Sequence, residues 1–223
     1  MTRTAVYGLI VLLIASALGY WGVGAYRKGQ QQKAVSALVA DSSRRLETAL
    51  ALEGEAAGAS SPQNVTALDE HAQEVDRHVV ELRDLGESPN RALAAAAAEY
   101  LLTVRQILRQ QAASYRYRLQ VAASEAALRD HMRASGRRSG AWIDQAVRLK
   151  ERMERNYFDY RVSAEALERL LASYPSARKG LSAQLRAPLP SDDVVEDARK
   201  RALASHKRIA ANVEQARQLA AVR

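Results

Sequence analysis

The chain has no cysteine, one phenylalanine and only five prolines in 223 residues. Without cysteine there is no disulfide, no thiolate nucleophile and no Cys-based metal site. No stretch alternates apolar and polar residues with β-branched enrichment, so nothing reads as a strand. The familiar catalytic signatures are missing: there is no G-x-S-x-G, no phosphate loop and no H-E-x-x-H. The glycine-rich "GYWGVG" lies inside an apolar run and not before a phosphate-binding helix. The expectation is a non-enzymatic protein with no catalytic, cofactor-binding or metal-binding residues.

Charge is missing from one segment. Between Ala5 and Tyr26 no residue is ionisable as an acid or strong base, a run of 22 residues. As a helix it reaches about 33 Å, enough for a hydrocarbon core of roughly 30 Å. It ends at Arg27-Lys28, with Tyr20, Trp21 and Tyr26 close by. Aromatic residues of this kind favour the membrane–water interface. Residues 1–28 are therefore expected to be an N-terminal membrane anchor, a transmembrane helix acting as a signal-anchor. The alternative is cleavage after Ala17, since Ala15-Ser16-Ala17 has the A-x-A pattern of an export signal. Gly8, Ala15, Gly19 and Gly22 lie along one stripe of this helix, with Ala5 and Leu12 completing the row. Such a stripe lets two backbones approach closely in lipid, or it reflects the Gly and Ala content of membrane helices in general.

Two arguments about sidedness oppose each other. Arg27, Lys28 and Lys33 follow the run before any acid, which by positive-inside counting points to a cytoplasmic body. A short basic N-terminus ahead of an export-like segment points to the periplasmic side of a bacterial inner membrane. The periplasmic side is the expectation taken.

What is present is helix. The fold expected is all-α: the anchor, then an elongated up-and-down bundle of four to five coiled-coil-like helices. The bundle occupies 29–174, a Pro-containing connector 175–191, and a basic C-terminal helix 192–223. The first body helix runs from about Gln30 to Ala57, with Gly29 a weak point between it and the anchor. The second, capped by Asn64 or Thr66, carries Val65, Leu68, Ala72, Val75, Val79 and Leu82 at spacings of 3, 4, 3, 4 and 3, a heptad seam. Gly86 is expected to end it in a left-handed cap. Ser88 and Pro89 are expected to start a third helix that meets no breaker before Gly136. The fourth runs from about Ala141 to Tyr174, where Pro175 is expected to stop it. Ser191, Asp192 and Asp193 suit the start of the last helix. The net charge of +8 is unevenly spread. Residues 27–100 are acidic on balance, while 101–155 and 176–223 are basic, so early and late helices are expected to pair by charge, each pair weakly.

Chemistry on these helices is sparse. His71, Glu74 and His78 share a helix face and could hold a metal, but they flank the seam and no second helix supplies Glu-x-x-His, so a solvated charged face is expected. His131 and His206 have no obvious partners. Tyr115, Tyr157, Tyr160 and Tyr174 fall on seams and are expected in the core. "SYRYRLQ" mixes Arg with Tyr, yet a helix spreads those charges around its circumference, so no nucleic acid is expected.

An anchor followed by a helical bundle resembles the LemA family in outline. "YFDYRVSAEALERLLASYPSARKGL" is similar to that family's late tyrosine-and-proline segment. The Trp and Pro-Asn-Leu-Val stretch that should follow the anchor is missing, and no membership is assigned.

The function expected is protein–protein interaction or scaffolding at the cell envelope. The partners expected are the membrane and other envelope proteins, or a second copy of the chain. The alternative is a sensor or ligand-binding bundle, with a small molecule held near Trp142 and the seam tyrosines.

Overall fold

The computed structural model describes residues 3–52, 61–85, 90–134 and 139–221, with side chains described at 26 and from 28 onward. Five helices follow one another: α1 (Arg3–Leu52), α2 (Pro62–Asp84), α3 (Arg91–Arg133), α4 (Gly140–Ser182) and α5 (Asp192–Ala221). There is no strand among the described residues.

The helix starts show which local signals prevail. Ser61 caps α2 in place of Asn64 or Thr66: its Oγ accepts the Asn64 N–H, and Pro62 takes the first helical position. A proline there loses no helical bond, because that N–H has no intrahelical partner in any case. Asn90 caps α3, its Oδ1 accepting the Leu93 N–H, so the helix begins after the Ser88-Pro89 pair and not on it. Residues 86–89 and the expected Gly86 cap lie outside the described residues. Ser139 caps α4, and Ser191 caps α5 with Asp192 and Asp193 in its first turn.

Pro175 does not end α4. The helix runs 43 residues, through Pro175 to Ser182 and into the expected connector. Proline removes one backbone bond and crowds the preceding turn. Against that, Tyr174, Ala177 and Leu181 continue the buried row of Leu167 and Leu171. Their burial outweighs the lost bond, and the pyrrolidine ring itself faces solvent.

Side-chain contacts fix the directions. Gln31 meets the Leu85 carbonyl and Ser42 meets His78, so α1 and α2 are antiparallel; Asp76 and Asp69 of α2 meet Arg105 and Arg116 of α3, again antiparallel. Gln110 reaches Ser163 and His131 reaches the Trp142 carbonyl, setting α4 against α3. Glu168 and Glu154 of α4 pair with Arg199 and Arg217 of α5. The α3 helix touches all four others.

The bundle changes thickness along its length. One core gathers residues from all five helices, from Val35 and Leu46 to Tyr174, Leu181 and Val195. The other is built only from the far parts of α3, α4 and α5, around Val121, Leu128, Met153, Tyr160 and Val213. The step lies where α1 stops. The last four carbonyls of a helix have no partner within it. Two are met from outside: Gln111 Nε2 donates to the Ala49 carbonyl at 2.7 Å, and an Arg201 guanidinium N–H to that of Leu50 at 3.3 Å. Thus α3 and α5 hold the end of α1 at mid-bundle.

In the thick half a chain of hydroxyls links four segments. Ser43 Oγ lies 2.8 Å from the Val39 carbonyl and 2.7 Å from Tyr100 Oη; Tyr100 Oη lies 3.5 Å from Tyr174 Oη, which donates to the Pro190 carbonyl at 3.1 Å. Each hydroxyl has a single proton to give. Three protons face four contacts, so one contact goes without. The longest, between the tyrosines, is the one left. The order that results is Ser43 to Val39, Tyr100 to Ser43, and Tyr174 to Pro190. Burial pushes both tyrosine hydroxyls above the usual phenol range, so both stay protonated donors.

As to the anchor, α1 is one unbroken helix of 50 residues, about 75 Å long, and it passes through Gly29 without interruption. Among the described residues no helix is long and apolar enough to cross a membrane. The uncharged run lies in the part of α1 where, Tyr26 apart, side chains fall outside the described residues, so the expected span is not supported there.

Two predictions follow from α4. Pro175→Ala restores a helical donor at an exposed site and should stabilise the fold by up to about 3 kcal/mol, while Leu181→Ala should cost about 2–5 kcal/mol. Opposite shifts in the urea midpoint are the expected result. Tyr174→Phe removes the donor to Pro190 and should cost about 1–3 kcal/mol, whereas Tyr100→Phe removes the donor to Ser43 and leaves the Pro190 bond intact. Chemical denaturation with amide exchange at residues 188–192 separates the two, since only the first should loosen the connector.

Candidate functional site

The polar side chains held inside the bundle are where chemistry could occur. Asp41, Ser42 and His78 form the first group. Ser42 Oγ lies 2.9 Å from His78 Nδ1, and the other ring nitrogen is 3.6 Å from Asp41 Oδ2. Serine, histidine and aspartate in contact are the components of a nucleophilic triad. Here Ser42 is 0% exposed, which leaves no room for a substrate carbonyl beside it. The contact is a buried link between α1 and α2. Burial alone would raise the Asp41 pKa, but hydrogen bonds from Arg45 and Arg44 lower it below the usual carboxylate range.

This corrects the expected solvated face. His78 is buried, not solvated. His71 is half-buried beside Arg45, and burial followed by that cation lowers its pKa. Glu74 turns to Arg77 at the surface. Among the described residues no cluster of three or more metal-ligating side chains forms.

His131 and Trp142 form the second group. Their rings stack at 4.7 Å where α3 ends and α4 begins, and His131 Nε2 contacts the Trp142 carbonyl. Trp142 therefore closes the thin end of the bundle. It stands 18 residues, about 27 Å of helix, from Tyr160. Tyr174 lies in the other core, tilted against Tyr100 at 6.0 Å. Trp142 thus packs against the same core as Tyr157 and Tyr160, while Tyr115 and Tyr174 belong to the other. The expectation that those tyrosines lie inside is met at Tyr115, Tyr160 and Tyr174, which are buried, while Tyr157 is half-buried.

The third group surrounds a cavity of about 210 Å³ just beyond the end of α1. Ser114 and Arg118 of α3 line it, with Ala164, Glu165, Leu167 and Glu168 of α4 and Ala202, Leu203 and His206 of α5. The His206 ring leans on Tyr160 at 5.5 Å. Burial, the largest cause, lowers the His206 pKa, so the imidazole is neutral at neutral pH. Sequence reading missed this group. A trace of it was present, because Gln111, Ser114 and Arg118 are polar at inward positions of an otherwise apolar helix.

The outer face of α4 also differs from expectation. Ile143, Val147, Phe158 and Val162 are about half exposed and fall on one stripe of the thin half. Phe158 is the only phenylalanine of the chain and lies under the Arg161 guanidinium. The packing residues Gly8, Ala15, Gly19 and Gly22 belong to the part of α1 whose side chains lie outside the described residues.

No family model matches the chain, and no curated protein or solved structure resembles it at a significant level.

The thin half depends on one ion pair more than the thick half does. Arg217 donates to both oxygens of Glu154, at 2.7 and 2.5 Å, tying α5 to α4. Hydrogen bonding from Arg217 lowers the Glu154 pKa despite partial burial. A carboxylate with a depressed folded pKa stabilises above its unfolded pKa, and the contribution is lost as pH falls through the folded value. Glu154→Gln should therefore flatten the fall in stability below about pH 4.5. Urea midpoints at pH 7 and pH 3 should differ less in the variant than in the parent.

Proposed function

We propose that the protein is a single-pass, membrane-anchored helical bundle that acts by protein–protein contact at the bacterial cell envelope, as a non-enzymatic scaffold. The single observation that carries the reading is the unbroken course of α1. Backbone that could span a bilayer and the first helix of the bundle are one rod. An uncharged run of 22 residues occupies the start of that rod. The rod enters the thick half first, near Leu85 and Leu185, which leaves the thin half at the far end. In this reading the α4 stripe of Ile143, Val147, Phe158 and Val162 stands away from the bilayer and is the partner-facing surface. The partner it fits is an amphipathic helix of another envelope protein, which would lay apolar residues along the stripe. The body is placed on the periplasmic side of the inner membrane, and Gly8, Ala15, Gly19 and Gly22 are proposed to pack two anchors into a homodimer. No metal, cofactor or nucleic acid enters this reading.

Three measurements test it. Membrane fractions should retain the full-length chain through a high-salt wash, and recovery of a mature form starting at Leu18 would remove the anchor. C-terminal reporter fusions should be active on the periplasmic side alone. Gly19→Leu keeps the span, since Leu is more favourable in lipid than Gly, and should weaken crosslinking between anchors. Equal crosslinking of parent and variant, with equal insertion, would show that the small residues are composition only.

A further inference from the structure

Two stretches of the chain carry no acid. From Met1 to Ala40 there is no Asp or Glu, and there is none from Arg169 to Ser191. The fold brings the two together. A cleft of about 790 Å³ opens between Gly29 and Lys33 of α1 on one side and Gln184 and Arg186, just after α4, on the other. Leu185 is buried in the thick core, which fixes Arg186 beside it.

The cleft is positive. Its two charged groups are both cations, Lys33 and Arg186, and both are exposed. Neither joins an ion pair among the described residues, whereas nearby Arg178 reaches Asp192 at 3.2 Å. Glu81 and Asp84 of α2 lie on the other side of α1. Gln31, which meets the Leu85 carbonyl, stands about 200° round the helix from Gly29. The end of α4 brings the negative pole of a helix to the cleft. Its carbonyls are largely occupied, however. That of Lys179 accepts from the Ala183 N–H and from Ser182 Oγ, and that of Leu181 from the Gln184 and Leu185 N–H groups. The two cations therefore set the sign.

In the anchor reading, on which this inference rests, the cleft faces the lipid headgroups. Lys33 is seven residues past Tyr26, about 10 Å along the helix. The headgroup layer extends roughly 5–8 Å beyond the hydrocarbon core. Helical side chains lean toward the N-terminus, so the Lys33 ammonium reaches back toward the bilayer. Gly29 keeps the way open, because a Cβ added there would meet no atom within 4 Å.

We propose that this cleft binds the phosphate of an anionic phospholipid, held by the Lys33 ammonium and the Arg186 guanidinium. The planar guanidinium fork matches two phosphate oxygens, and the ammonium adds a point charge. Basic groups beside a membrane span gain further from the negative surface of anionic lipid. The volume exceeds what a lone phosphate needs and admits a headgroup with its glycerol. Free phosphate offers the same oxygens, but exposed cations hold it weakly from water. A lipid is instead supplied at the high local concentration of the bilayer surface.

The test places the full chain in nanodiscs of phosphatidylcholine, alone or with a rising fraction of phosphatidylglycerol. Lysines are acetylated briefly and read by mass spectrometry. Lys33 should become protected as phosphatidylglycerol rises, and by more than Lys28. A diffuse surface potential gives the opposite order, since Lys28 stands closer to the bilayer. Arg186→Gln should raise the phosphatidylglycerol fraction that half-protects Lys33 about tenfold or more, the worth of a charge-assisted hydrogen bond. Lys28 should be unaffected, and circular dichroism checks that the variant keeps its fold. Inorganic phosphate added to phosphatidylcholine nanodiscs should protect Lys33 little; protection equal to that from phosphatidylglycerol overturns the lipid source. Lys28 protected as much as Lys33, or no effect of Arg186→Gln, overturns the site and leaves the anchor standing. Loss of the chain from phosphatidylcholine nanodiscs in a high-salt wash overturns both.

Discussion

The hydroxyl chain from Ser43 through Tyr100 and Tyr174 to the Pro190 carbonyl holds the thick half in register. Seams of Ala, Val and Leu give good contact but poor registration, because apolar contacts are non-directional and adjacent layers resemble one another. A buried hydrogen bond is lost if a helix slides by even a fraction of a turn, and leaving its groups unpaired is costly. The donors here come from α1, α3 and α4, and the last acceptor from the segment leading into α5. One proton too few for the contacts on offer makes the chain directional. It runs outward from the Tyr100–Tyr174 gap to Val39 on one side and to Pro190 on the other.

With register fixed, the end of α1 is fixed too, and the change in thickness follows. Gln111 and Arg201 must reach the Ala49 and Leu50 carbonyls from helices that continue past them. This has two consequences. The thick half has enough buried residues to fold around its tyrosines, while the thin half relies on a smaller core and on the Arg217–Glu154 pair. Among the described residues, the cavity at the step is space that neither half fills.

Much of the architecture was legible from periodicity. The α2 seam of Val65, Leu68, Ala72, Val75, Val79 and Leu82 is buried as its spacing requires. Acidic α2 does lie against basic α3, through Asp69 and Asp76. Besides the shifted caps of α2 and α3, two errors had a tertiary cause. At Pro175 a local rule was trusted where tertiary burial of Ala177 and Leu181 overrode it. At His78 the residue stood one position from the seam, and a heptad drawn on a flat wheel does not show that α1 wraps far enough to cover it. The cavity was legible only in part. Polar residues at inward positions of α3 could be seen, but the place of the cavity depends on where α1 is held, and that depends on side chains more than 60 residues away in sequence.

The unequal halves also explain how the exposed apolar stripe of α4 is tolerated. A helix within a three-helix coil turns a wide arc to solvent, so some apolar residues appear there without any partner. Four on one line, including the sole phenylalanine, exceed that background. In the thick half the outer surface of α2 and α3 is crossed by ion pairs such as Arg105–Asp76 and Arg116–Asp69. Around the stripe, α4 instead carries Lys150, Glu151 and Arg155 as exposed charges between Val147 and Phe158. In the proposed reading, charge flanked by apolar ends would give a partner helix both contact area and a register. The thin half thus gives up stability that a fourth helix would supply, and the same omission leaves the apolar stripe of α4 exposed.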